Sequence, residues 1–527
     1  MGCCALSPRR RFAAALALAL GISVPQGAHA QWAAFWRVAS GSPSVSSAPK
    51  ATTAAAPAPP PQFDGQGYWQ QQQQQQQSSP SQFDAQQFVQ SYTQQAGSAP
   101  GGPDGQPLQI NVLEMFTVND VDEYAVCNDG SPGAYYYAPS PSGSNQWLIY
   151  LEGGMWCWDQ QSCQSRMQST PFEMSSTGWK STQIVGGVFN SQSDNPFLTY
   201  NKVYLGYCSS DAWMGDVAAS SATWGYAFRG QRIIEATIAD LQARHGMAAG
   251  AEVIFGGCSA GARGALVNLD YISSMVPTGS TVRGLLDSGL WVDVEPIDSS
   301  QVSLQEQTQM VASFISPGAR IPTECAMEYV GEEWKCLFGV YRLPFISTPY
   351  LINAAQFDSF AMIYDENGNV PATQGQVALA DQFQQAIVQA LQIAIQNNMA
   401  VFSSTCLVHC LTDNTQLYTG SQAITVNNED IEAVLEQWLG GGTPVLISNC
   451  QGYGCVQQCP GGQNIPYIQQ AIAAAQAPPA AGTEVNGVWL NIPGLTNNGQ
   501  HVGGAAVAAG PQAQPTWMQA GRRLLRA

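Results

Sequence analysis

"GGCSAGARGALVN", Gly256–Asn268, sets a serine at the centre of a turn bracketed by glycines. The five residues before it, Ala251 to Phe255, form a short β-prone run, and helix formers follow it. The pattern is strand, sharp turn, helix, with Ser259 at the apex between Gly257 and Gly261. A G-x-S-x-G element of this kind can be a nucleophile elbow, in which the serine hydroxyl stands exposed above a sheet. It can equally be a plain Gly-rich strand-to-helix turn, since the five letters recur by chance in long Gly- and Ser-rich chains. The surrounding sequence has to separate the two.

Around the elbow, β-like and helix-like stretches alternate. Strands are expected at Trp147–Leu151, Asn201–Gly206, Thr281–Asp287, Tyr350–Ala355 and Ala400–Ser404. A helix is expected over Arg232–Ala243, and a second where Phe383, Ile387, Leu391 and Ile395 recur every four residues. Alternation of this kind implies an α/β fold with a mostly parallel central sheet flanked by helices. The folded part, 108–493, is large for one domain, so loop insertions or a cap are expected within it.

The two ends differ from this. Arg9, Arg10 and Arg11, the apolar run Phe12–Val24 and the Ala28-His29-Ala30 site mark 1–30 as a secretory signal peptide. Residues 31–107 are rich in Ala, Pro and Gln, with a glutamine run from Gln70 to Gln77, and read as a disordered linker or stalk. Residues 494–527 read as a low-complexity tail. Once the signal is removed, no stretch is long and apolar enough to span a bilayer. Of 14 cysteines, Cys3 and Cys4 fall in the signal. The remainder is even in number, which in a chain with a secretory signal favours disulfides, and the expected location is secreted, extracellular or cell wall. No paired C-x-x-C motif points to zinc, and no metal or cofactor is expected. A net charge of −18 argues against nucleic acid as a partner.

A serine hydroxyl needs a base to become nucleophilic, and the base needs an orienting acid. The chain has four histidines. His29 lies in the signal, His245 follows a surface helix and His501 is in the tail. His409, in "SSTCLVHC" just after an expected strand, is left as the base. In α/β-hydrolases the order is Ser, acid, His. The acid then lies between Ser259 and His409. Asp358 in "NAAQFDS" is favoured because acid and base would follow successive strands, while Asp287 and Asp293 in "DSGLWVD" are the alternatives. Asp287 is read as a group that caps or orients loops near the site. Oxyanion amides are expected from Ala260, next to the serine, and from the Gly153-Gly154 turn of "LIYLEGGMWCW".

The motifs "YLEGGMWCW", "YCSSDAWMGD", "FRGQRIIEATIADL", "GGCSAGARGA", "DSGLWVD", "NAAQFDS" and "CLVHC" follow one another in the order of the pectin acetylesterase/Notum carboxylesterase family, which this chain resembles from about Val112 to Cys459. The resemblance implies an α/β-hydrolase fold and a triad of Ser259, Asp358 and His409. It places the oxyanion amides on Gly154, Met155 and Ala260, and it supports a Cys157–Cys163 pair. Cys325–Cys336 is a second local disulfide candidate, Cys258 is read as structural, and pairing among Cys450, Cys455 and Cys459 stays open. Ala262, followed by Arg263, stands where the family commonly has a second glycine, and Met155 where a bulkier aromatic can occur; both bear on acyl-group size and substrate. The expected function is that of a secreted serine carboxylesterase acting on acetyl esters of a cell-wall polysaccharide such as pectin. The alternatives are a Notum-like removal of a fatty acyl group from a protein, and an inactive wall-binding homologue.

Overall fold

The computed structural model describes residues 112–460, apart from 367–370, 372 and 421. The expected signal peptide, the stalk, the 494–527 tail and the end of the 108–493 domain lie outside the described residues.

The strands, in chain order, are β1 (Val112–Thr117), β2 (Ala134–Ala138), β3 (Gln146–Leu151), β4 (Thr182–Ile184), β5 (Asn201–Leu205), β6 (Glu252–Cys258), β7 (Thr281–Asp287), β8 (Tyr350–Asn353), β9 (Phe357–Asp358), β10 (Ala400–Ser403), β11 (Leu407–Val408), β12 (Thr425–Val426), β13 (Glu429–Asp430) and β14 (Val445–Ile447). Ten of them form one sheet in the order β14-β10-β8-β7-β6-β3-β5-β2-β1-β4. From β14 to β5 every neighbouring pair is parallel. β2, β1 and β4 close one edge antiparallel. β9 pairs with β11, and β12 with β13, in two small separate ladders.

Parallel strands covered on both faces are apolar along their length. β5, β8 and β10 are buried at every position. Alternate residues supply two cores: Ile149, Phe255 and Leu286 on one face, Leu148, Ile254 and Leu285 on the other. The main helices are α1 (Gln160–Ser169), α2 (Gly230–Arg244), α3 (Ala260–Ile272), α4 (Leu304–Ala312), α5 (Gln374–Gln396) and α6 (Ile431–Leu439). α5 starts at a capping box, with Thr373 accepting from the amide of Gln376, and buries Val377, Phe383, Ile387 and Leu391 on one face.

Some details differ from the sequence expectation. β6 runs on to Cys258, so Ser259 leaves the strand directly. β8 stops at Asn353, and Asp358 sits on its own short strand, β9, held by β11. The antiparallel edge and β14 carry no clear pattern of their own. The stretch between β7 and β8 holds α4 and several short helical turns, and forms a large insertion.

Candidate active site

The site is assembled at the carboxyl ends of the parallel strands, where open α/β sheets place their ligand crevices. β6 delivers Ser259, β3 delivers Glu152–Met155, β7 delivers Asp287, and the β9–β11 ladder delivers Asp358 and His409.

Ser259 has φ 57° and ψ −122°, a conformation that a side-chain-bearing residue holds only when its surroundings impose it. Its amide donates to the Asp287 carbonyl at 2.9 Å, and its own carbonyl accepts from the Arg263 amide at 2.9 Å. Gly257 and Gly261 make the crossing possible. A Cβ on either would collide with the Leu151 carbonyl at the end of β3. α3 therefore starts directly over the strand that leads into the Gly153-Gly154 turn. A Cβ on Gly153 would stand 3.0 Å from Cβ of Ser259, so turn and elbow are in contact.

His409 Nδ1 lies 2.8 Å from Asp358 Oδ2 and 3.0 Å from Oδ1. Asp358 Oδ1 also accepts from the amides of Phe360 and Ala361 at 3.0 and 2.9 Å, which fixes the carboxylate. The Phe360 ring packs 5.4 Å from the imidazole. Burial alone would push the His409 pKa down. The charge and hydrogen bond of Asp358, with Asp287 and Asp413 behind it, outweigh burial and hold the pKa above its ordinary value. The imidazole is 19% exposed, open enough to meet a substrate. No hydrogen bond joins it to the Ser259 hydroxyl among the described residues.

Met155 has φ 61° and Gly154 φ 133°, which turns this segment's backbone out of the sheet direction. Among the described residues, the amides of Gly154, Met155 and Ala260 have no hydrogen-bond acceptor. The turn is braced from behind: Tyr207 Oη donates to the Met155 carbonyl at 2.8 Å, and Trp213 Nε1 to the Glu152 carbonyl at 3.1 Å. Glu152, beside the turn, has its pKa pushed up to about 7 by burial.

The two other acids are placed differently. Asp287 is fully buried and accepts from Asn353 Nδ2 (2.6 Å), Ser288 Oγ (3.1 Å), the amides of Leu411 (2.8 Å) and Thr412 (2.7 Å), and Thr412 Oγ1 (2.7 Å). It ties the segment after His409 to the end of β7. Asp293 instead accepts from Tyr341 Oη.

Among the described residues there are six disulfides: Cys127–Cys208, Cys157–Cys163, Cys258–Cys410, Cys325–Cys336, Cys406–Cys459 and Cys450–Cys455. Their number fits folding in an oxidising compartment. Cys258 Sγ, Cys410 Sγ and a His409 ring nitrogen lie within 4.8 Å of one another. The two sulfurs are bonded to each other and so offer no thiolate to a metal. Among the described residues, no helix is long and apolar enough to cross a membrane.

Arg263 stood out in the sequence only as a departure from the family pattern, and its packing against two tryptophans was not foreseen. Its guanidinium carbon lies 3.8 Å from the Trp156 ring centre and 3.4 Å from the Trp291 ring centre. Trp291 in turn stacks on Phe360. A column thus runs from the residue after the Gly153–Met155 turn to His409. Arg263 is 2% exposed, makes no ion pair among the described residues, and has no hydrogen-bond partner at Nε or Nη2. Burial lowers its pKa to about 9.

A family model described as Pectinacetylesterase matches residues 109–460. Palmitoleoyl-protein carboxylesterase notum1a of Danio rerio is 33% identical over 299 residues, covering 54% of this chain and 58% of that protein. Pectin acetylesterase 11 of Arabidopsis thaliana is 27% identical over 357 residues, covering 64% of this chain and 89% of that protein. The matches to the Notum proteins of zebrafish and Drosophila melanogaster span about half the length of those relatives. The crystal structure of the Wnt deacylase Notum from Drosophila superposes with a TM-score of 0.59 at 29% identity, covering 66% of this chain and 100% of that one. An α/β-hydrolase sheet with this elbow, and a family match running through every described strand, make the chain a member of the pectinacetylesterase family.

Proposed function

We propose that this protein is a serine carboxylesterase that removes acetyl groups from a cell-wall polysaccharide such as pectin. Ser259 is the nucleophile, His409 the base and Asp358 its orienting acid. The observation that carries the reading is the Asp358–His409 pair on the strand ladder beside a strained serine. Asp358 engages Nδ1, so Nε2 is free to take the hydroxyl proton as Ser259 Oγ attacks the acetyl carbonyl. The amides of Gly154, Met155 and Ala260 then receive the negative charge on the carbonyl oxygen. The imidazolium returns its proton to the departing sugar oxygen, which leaves acetyl-Ser259. Water, deprotonated by His409, releases acetate. Acetate release from acetylated pectin, xylan and mannan tests the substrate class. Pectin is expected to give the highest kcat/KM, and turnover of aryl acetates with none of the polysaccharides would remove the polysaccharide from the reading.

Acyl length separates this from the fatty-acyl activity named for the Notum relatives. A buried guanidinium at Arg263, one helical turn from Ser259 and wedged between two tryptophans, is an unfavourable neighbour for a long apolar tunnel. In a tunnel each added methylene would strengthen binding by about 0.8 kcal/mol. On aryl esters with one leaving group, kcat/KM is expected to fall by at least about tenfold from acetyl to octanoyl, a difference of about 1.4 kcal/mol. A steady rise out to octanoyl would favour the fatty-acyl reading.

The pH dependence follows from the sign of the His409 shift. The neutral imidazole is the active form, so kcat/KM rises with pH through the His409 pKa. Asp358 holds that pKa above its usual value, and the half-point is expected above about 6.5. Asp358→Asn removes the charge and should move the half-point down. A flat profile from pH 5 to 8 with chemistry rate-limiting would contradict a histidine base.

A further inference from the structure

The Cys258–Cys410 disulfide joins the residue before Ser259 to the residue after His409, across 152 positions of sequence. The other bridges do different work. Cys157–Cys163, Cys325–Cys336 and Cys450–Cys455 close short loops, Cys127–Cys208 binds the segment before β2 to the end of β5, and Cys406–Cys459 holds the last described turn.

The backbone around this bridge is unusual. Ser259, Ser288 and Cys410 all hold positive φ, at 57°, 56° and 63°. Such conformations persist where neighbouring contacts over-determine them. The hydrogen bonds between the elbow and the base segment run through a third element, the end of β7. The Ser259 amide donates to the Asp287 carbonyl, the Cys410 amide to Ser288 Oγ, and the Leu411 and Thr412 amides to Asp287 Oδ2. The disulfide is the direct covalent link between the two.

From this we infer that the Cys258–Cys410 disulfide is a positioning element of the catalytic centre, which sets the approach of His409 to Ser259 and makes turnover depend on the oxidation state of this one pair. The inference rests on the reading of Ser259 and His409 given above. The Asp358 carboxylate and the Phe360 ring fix the orientation of the imidazole but not the distance of its backbone from the elbow. A misplacement of about 1 Å between a nucleophile and its base can cost roughly a hundredfold in rate. Cys410 is partly exposed, so a small thiol can reach the bridge. In that reaction a dithiol such as dithiothreitol reduces the bond to two cysteine thiols, gives up its two hydrogens, and becomes the cyclic disulfide.

The test compares wild type with a Cys258→Ala/Cys410→Ala double variant and with Cys325→Ala/Cys336→Ala as a control that also lacks one bridge. The substrate is 4-nitrophenyl acetate, measured well below each variant's melting temperature. A purely structural bridge would lower Tm and leave kcat alone. As a positioning element, its loss should lower kcat by at least about tenfold with KM changed less than about threefold, and slow Ser259 phosphonylation in parallel, while the control keeps its kcat. A folded double variant with wild-type kcat overturns the inference. If the double variant fails to fold, wild type is titrated with dithiothreitol, the reduced cysteines are identified by alkylation and mass spectrometry, and folding is followed by circular dichroism. Activity should fall with reduction of Cys258–Cys410 while the fold persists; retained activity with that pair reduced overturns the inference. Ser259→Ala runs in the same assay. If it stays active, the parent reading has failed, whereas an inactive Ser259→Ala beside an active double variant removes only the role of the bridge.

Discussion

Ser259→Ala and His409→Ala are each expected to lower kcat/KM on a small aryl acetate by at least about a thousandfold, with the fold intact. On the proposed triad the two groups act as one unit, so either loss should remove nearly the whole nucleophilic contribution, and the double variant should be little worse than either alone. What would remain is catalysis from the proposed oxyanion amides and binding. His245→Ala is the control: it bonds Tyr135 and packs on Tyr137 in the antiparallel edge, so its loss should touch stability and leave kcat/KM within about twofold. An active His409→Ala enzyme would remove the base assignment.

The second large effect separates the two buried acids. Asp358→Asn is expected to lower kcat by roughly a hundredfold or more, because the amide no longer stabilises the imidazolium and can select the wrong tautomer. Its effect on stability should be small. Asp287→Ala should do the reverse in emphasis. It orphans the amides of Leu411 and Thr412 and Asn353 Nδ2 in the interior, while Thr412 Oγ1 keeps Tyr150 Oη as a partner. An unmet buried donor costs about 1–3 kcal/mol, so a loss of about 3 kcal/mol or more is expected, measured by urea unfolding. If Asp287→Ala proves stable while its kcat collapses, and Asp358→Asn stays active, the acid has been assigned to the wrong residue.

Much of this site could be read from the chain because its constraints are local. Gly257 and Gly261 flank the serine at the spacing that a strand-to-helix crossing over the Leu151 carbonyl demands. His409 stood out through the scarcity of histidines. The part that stayed hidden depends on tertiary neighbours. Nothing near Cys258 says that its partner lies 152 positions on. Arg263 is unremarkable until Trp156 and Trp291, from two separate loops, are folded onto it. The edge strand Val112–Thr117 is too short and mixed to be told from a helix turn, and it becomes a strand by pairing with β2 and β4. Asp358 was expected just after the Tyr350 strand, where it lies, but the β9–β11 ladder that brings it to His409 is two residues long on each side and leaves no periodic trace.

The most direct test of the central claim is covalent labelling. The protein is treated with a fluorophosphonate, digested, and mapped by mass spectrometry while residual esterase activity is followed. One adduct per chain, on Ser259, is expected to accumulate in step with loss of activity, and to form far more slowly in His409→Ala. Full loss of activity with the adduct on another residue, or undiminished activity with Ser259 fully modified, would contradict the account.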